Sequence, residues 1–155
     1  MLYQVISAVV GVLAFAVLFQ TPRRSYALCA LCGGFSWGIF LALEALGLSE
    51  FLASAGAVVA LTLLSSTLSV AMKLPATVFI VTGIFPIVPG AGIYYTAYGL
   101  ITGDMAMFQL RGMETLALAG AIAIGILVGT SIPSAVPHFL GRALEKALPR
   151  SMRRN

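Results

Sequence analysis

The 155-residue chain is 60% hydrophobic and only 9% charged, whereas a soluble domain averages about 25% charged. So few charges cannot cover the surface of a small water-soluble globule, which excludes a soluble enzyme and leaves an integral membrane protein of one domain. The net charge is +4, with five of the nine basic residues (Arg142, Lys146, Arg150, Arg153, Arg154) in the last fourteen positions. No nucleic-acid recognition fold accompanies that cluster, so no nucleic acid is expected as a partner. A cytoplasmic tail drawn to anionic lipid is the expectation.

Five apolar runs follow, each read against the roughly 20 helical residues that cross a bilayer. The first covers about Tyr3 to Phe19 and ends at Gln20-Thr21-Pro22-Arg23-Arg24; no basic segment precedes it and no small-residue cleavage site follows, so it reads as retained. The second, about Tyr26 to Leu48, carries a single acid, Glu44. The third, about Phe51 to Met72, is uncharged and ends at Lys73-Leu74-Pro75. The fourth is uncharged from Pro75 to Gly103, too long for one untilted helix across about 30 Å of hydrocarbon. The fifth runs from about Thr115 to Val136. No ten-residue alternation of the barrel type is present, so the class is an all-α membrane bundle of about five helices. Beyond it, residues 137–148 form an amphipathic stretch, with Arg142, Lys146 and Arg150 on one side and Phe139, Leu140 and Leu144 on the other. It reads as a surface helix that anchors on lipid or docks a partner.

Orientation follows from the basic residues. With the Arg23/Arg24 loop in the cytoplasm, Lys73 and the tail fall on the same side, and of all Lys and Arg only Arg111 lies outside. The N-terminus is then external, the C-terminus cytoplasmic, and the compartment the inner or plasma membrane.

The chemistry concentrates in the fourth run. Pro86 and Pro89 lack backbone N–H groups and their rings clash with the preceding turn; Gly90 and Gly92 permit positive φ. Together they should break the helix between Pro86 and Gly92, at mid-membrane. Unwound backbone survives inside a bilayer only where protein buries it or it lines a watery cavity. Carriers use such breaks to aim carbonyls and half-helix N-termini at a solute. Thr82 before the break and Tyr94 and Tyr98 after it complete a candidate substrate path, although Tyr98 also suits an interfacial belt. Tyr94 and Tyr98 share a helix face and Tyr95 points elsewhere.

Glu44 is a candidate for ion coupling, as an intramembrane acid. Arg23 and Arg24 serve topology or collect an anionic substrate, and His138 is a titratable group at the cytoplasmic end of the fifth run. Thr62, Ser65, Ser66, Thr67 and Ser69 read as a helix-packing stripe. Cys29 and Cys32 read as small buried residues; a membrane redox protein built on them is the alternative. No metal or cofactor motif appears.

The blocks Phe15-Ala-Val-Leu-Phe19-Gln-Thr-Pro22-Arg-Arg24, Cys29-Ala-Leu-Cys-Gly33, Pro75-Ala-Thr-Val-Phe79 leading to Ile84-Phe-Pro86-Ile-Val-Pro89-Gly90 and Tyr94, and Ser131-Ile-Pro133 resemble the threonine/serine exporter family, specifically its small C-terminal half. The resemblance implies a secondary exporter of small amino acids or of small carboxylates such as succinate, powered by an ion gradient. It implies a larger membrane subunit as partner, with a homo-oligomer also open, and places Pro86, Pro89, Gly90 and Tyr94 on the family's central motif. A scaffold that only stabilises its partner is the rival expectation.

Overall fold

The structure, a computed structural model, describes residues 2–132 together with Arg142 and Glu145. Six helices and no strand occur among them: α1 (Leu2–Leu18), α2 (Tyr26–Ala45), α3 (Glu50–Met72), α4 (Ala76–Gly83), α5 (Gly90–Thr102) and α6 (Met105–Ser131). A 3-10 turn at Arg23–Ser25 leads into α2, and another at Phe85–Ile87 follows α4. The stretches Arg23–Ala45, Glu50–Met72 and Met105–Ser131 are each long and apolar enough to cross a membrane. The residues from Ala76 to Thr102 make a fourth candidate span, bent by 60°. At 17 residues, α1 is shorter.

Glycines set how the helices approach. A Cβ at Gly33 would strike Val12, one at Gly34 would strike Val9, and Gly38 faces Val5, so α1 and α2 run antiparallel in close contact. Gly125 lies against Val58 and the Ala55 carbonyl, and Gly129 against Thr62. The order advances in the same direction on both helices, so α3 and α6 run parallel. Small residues permit this closeness where lipid tails offer no hydrophobic drive for association.

Two clusters form the core. One joins Ala16, Cys29, Cys32, Leu61, Leu68, Met72 and Phe79 near the Lys73 end, and the other joins Phe40, Leu41, Ala53, Ala57, Val58 and Ile87 near the Glu50 end. Lys73 caps α3 in the left-handed conformation (φ 54°), and its ammonium pairs with Glu145 at 3.1 Å. The expected amphipathic tail helix and His138 lie otherwise outside the described residues.

The last helix starts well before the expected Thr115. Asp104 caps it by accepting from the Met107 N–H at 3.0 Å, and Arg111 and Glu114, expected in a loop, form an ion pair one turn apart on its surface (3.0 Å). Charge marks where a span leaves the bilayer, not where a helix ends, and an N-cap overrides it. Carrying the α3–α6 register back puts Ala117 opposite Glu50. Residues 105–116 therefore run past the end of α3, by about 18 Å at a rise of about 1.5 Å per residue. Along this overhang α5 returns antiparallel: Gly92 sits on Thr115, Thr96 on Gly112, and Gly99 on the Phe108 backbone. The fold is thus a bundle of α1–α4 and the second half of α6, with a helical hairpin extending from one end.

Candidate functional site

The expected break is present, and its mechanism is visible in the backbone. The last regular bond of α4 runs from the Ile84 N–H to the Ile80 carbonyl. Pro86 has no N–H to continue the ladder, so the Ile87 N–H turns back to Ile84 and the Val88 N–H to Phe85. Pro89 has φ −76° and ψ 60°, the geometry of an inverse γ-turn, closed by the Gly90 N–H donating to the Val88 carbonyl at 2.7 Å. The Ile93 N–H bonds to Pro89 and α5 begins. Neither the Ala91 nor the Gly92 N–H finds a backbone acceptor among the described residues, as a helix N-terminus dictates.

The position of the break differs from the expectation. Gly83 packs against Leu61 and Ile87 against the Ala53–Val58 segment. By Gly90 the chain has therefore reached the first turn of α3. Counting from Pro75 to Gly103 puts the prolines midway, but residues 76–92 already traverse the length of α3. The break lies level with the Glu50 end of the bundle, at the root of the hairpin. The glycine argument also needs correction. Positive φ occurs among glycines at Gly47 and Gly103, not at Gly90 or Gly92. Gly92 is required for closeness, because a Cβ there would collide with the Thr115 hydroxyl, whereas a Cβ at Gly90 would meet nothing.

A cavity of about 310 Å³ opens beside the break. Pro86, Pro89, Gly90 and Gly92 line it, joined by Trp37 from α2, Glu50 from α3, and Arg111, Glu114 and Thr115 from α6. These last five were missed by the sequence reading. Glu50 and Arg111 fall just outside the apolar runs of the sequence, and no local motif connects them to the prolines. The first-turn amides of α5, with the partial positive charge of a helix N-terminus, thus share one hollow with Glu50 and with the ion-paired Arg111 and Glu114. Such a hollow has groups for both ends of a small zwitterion. An anion would meet amides and a guanidinium, and an ammonium would meet the Glu50 carboxylate.

The other candidates lie elsewhere. Thr82 is buried in α4, where its hydroxyl donates to the Val78 carbonyl of its own helix at 2.8 Å. Tyr94 and Tyr98 stack at 6.2 Å on the outside of α5, with 62% and 48% of their surface exposed, and line no part of the cavity. Tyr95 meets Tyr94 edge-on at 5.3 Å. Glu44 is exposed near the C-terminus of α2, while Arg23 and Arg24 occupy the 3-10 turn at the far end of the bundle. In the stripe on α3, Thr62 and Thr67 spend their hydroxyls on carbonyls of their own helix, and Ser65 is buried with its hydroxyl unpaired. Cys29 and Cys32 are free thiols with no exposed surface, and no cluster of metal-ligating side chains occurs among the described residues.

A larger, almost wholly apolar groove of about 530 Å³ runs between α5 and α6 from Ile93 to Phe108. It offers no charge to a polar solute. The smaller hollow at the break has the chemistry for one.

No curated protein and no solved structure gives a match to this chain. Residues 4–132, nearly all of the described bundle including the break and both halves of α6, match the model of the family described as Threonine/Serine exporter, ThrE. On that match, which spans most of its length, the chain belongs to the threonine/serine exporter family of membrane transporters.

Proposed function

We propose that the protein is the small subunit of an ion-gradient-driven exporter of threonine, serine or a similarly small amino acid, acting with a larger membrane subunit in the plasma membrane. The observation that carries this reading is the cavity at the break. The Ala91 and Gly92 amides suit a carboxylate, and Glu50 suits the ammonium beside it. A dicarboxylate such as succinate has no ammonium to offer Glu50 and is disfavoured by a second acid, Glu114, in the same hollow. The volume lies at the small end of ligand pockets.

The need for a partner is supported by the hairpin. α5 packs chiefly on α6, and Ile93, Tyr94, Tyr98 and Ile101 stand exposed along it, Ile101 by 84%. One broken span and no internal repeat make half of an alternating-access carrier. A pure scaffold would explain the exposed hairpin but not the charged cavity. With the basic loops inside, the hollow faces the external side.

The test loads cells with labelled threonine, serine or succinate and follows efflux with the chain present alone, with a multi-spanning larger family member, or absent. Threonine or serine efflux should require both chains, and Glu50→Gln should reduce it at least tenfold with the protein still in the membrane. Unchanged efflux from Glu50→Gln, or faster efflux of succinate than of either amino acid, would overturn the reading.

A further inference from the structure

A helix that stops inside a bundle leaves carbonyls without partners, and a buried carbonyl in that state is costly. At the end of α4 the Thr82 carbonyl loses its regular donor because Pro86 has no N–H, and the other affected group is the Gly83 carbonyl. Its regular donor, the Ile87 N–H, is committed to Ile84. Ser36 on α2 supplies the replacement: its hydroxyl donates to the Gly83 carbonyl at 2.7 Å, with no exposed surface on the serine. The reach is possible because residue 83 has no side chain. A Cβ there would meet Leu61 Cδ1 at 2.6 Å and Cys32 Cβ at 3.0 Å. Among the described residues this is the one serine or threonine hydroxyl that crosses to another helix of the bundle. Thr62, Ser66, Thr67 and Thr82 all bond to carbonyls of their own helices.

Ser36 also has a fall-back acceptor, the Gly33 carbonyl at 3.0 Å. One hydroxyl hydrogen serves the two acceptors alternately, so losing the Gly83 contact orphans the α4 carbonyl without orphaning Ser36. The loss falls entirely on the break. We infer that Ser36, acting through the Gly83 carbonyl, is the positioning residue of the broken span. It fixes where α4 stops and hence where the first amides of α5 stand in the cavity. This rests on the exporter reading for its functional consequence but not for its geometry, and the two are tested separately.

In the first arm, threonine efflux is measured against internal concentration for the wild type, Ser36→Ala, Ser36→Cys and the control Thr67→Ala, each with the partner subunit. Ser36→Ala should raise the half-saturating concentration at least fivefold while the maximal rate per membrane-resident protein stays within twofold. Ser36→Cys, keeping a weak donor, should fall between, and Thr67→Ala should match the wild type. In the second arm, Ile87→Cys, a buried position just past Gly83, is labelled with a membrane-permeant maleimide. The chain without that substitution gives the blank for the sealed Cys29 and Cys32. Adding Ser36→Ala should speed labelling at least fivefold, and adding Thr67→Ala should not. If labelling is unchanged by Ser36→Ala, the positioning role is wrong whatever the transport data show. A Ser36→Ala variant that loses maximal rate at constant half-saturation also refutes it. If labelling responds while the wild type exports no threonine or serine, the geometry stands and the exporter reading falls.

Discussion

Gly90 and Gly92 look alike in the sequence, but the structure separates them. A Cβ at Gly90 meets nothing within 4 Å; one at Gly92 runs into the Thr115 Oγ1. That hydroxyl cannot easily turn away, because it donates to the Arg111 carbonyl at 2.6 Å. Gly90→Ala should therefore be neutral or stabilising, by up to about 1 kcal/mol, through the lower entropy of the unfolded chain. Gly92→Ala gains a similar amount but forces α5 off α6, an overpacking that costs about 1–3 kcal/mol. The two variants should differ by about 2 kcal/mol with opposite signs. Trp37, the single tryptophan, lines the same cavity. Its fluorescence during denaturant unfolding in detergent micelles reports on both stability and the local change. Thr115→Ala removes the obstructing oxygen and should restore Gly92→Ala, with a coupling of at least about 1 kcal/mol in the double-mutant cycle. Equal stability of Gly90→Ala and Gly92→Ala, or no recovery on adding Thr115→Ala, would refute the contact and with it the close docking of α5 on α6.

Two further outcomes follow from the helix contacts. Gly125→Val places atoms against the Ala55 carbonyl and Val58 Cβ, each 2.8 Å from the new Cβ, neither of which moves by a rotamer change. Unfolding in micelles should show a loss of about 1–3 kcal/mol, whereas Gly120→Ala, in the interior of the same helix and with a Cβ that meets nothing, should be neutral or stabilising by up to about 1 kcal/mol. Asp104→Ala removes the acceptor for the Met107 N–H at 3.0 Å and should cost about 1 kcal/mol by the same measurement. Ser49→Ala, which loses only a 3.5 Å bond to the Leu52 N–H, should cost a few tenths.

The helices were legible because length and charge determine them. Apolar runs bounded by charge and proline gave α1, α2 and α3 within a few residues, and Pro86 with Pro89 located the break. The start of α6 was not legible from hydropathy, since Arg111 and Glu114 end an apolar run without ending a helix. Nor was the composition of the cavity. Trp37, Glu50 and Thr115 come from three helices whose relative heights depend on glycine notches such as Gly125 and Gly129. Tyr94 and Tyr98 were placed on one face correctly, but period alone does not say whether that face looks inward. Ser36 carried no signal, because the carbonyl it serves is orphaned only once Pro86 and Ile87 have taken their observed conformations.

The geometry also limits how the hollow can change shape. On one side α4 is held to α2 through Ser36, and it packs on α3 where Gly83 meets Leu61. On the other, α5 is held to α6 at Gly92, Thr96 and Gly99. The peptide between Ile84 and Pro89 is the short segment joining these two bodies along the chain, and it contains two residues without N–H donors. Any displacement of α5 relative to α4 must therefore be absorbed there, and must carry the first half of α6 with it. The second half of α6 meets α3 through Gly125 and Gly129, with Ile122 and Ile126 packed on the same core cluster as Ala57 and Val58, so the two halves of α6 move as one rod against the bundle. Widening the hollow around Glu50 then moves Arg111, Glu114 and Thr115 together, because all three ride on α6. One helix thus links the solute-sized cavity to the long contact that runs the depth of the bundle.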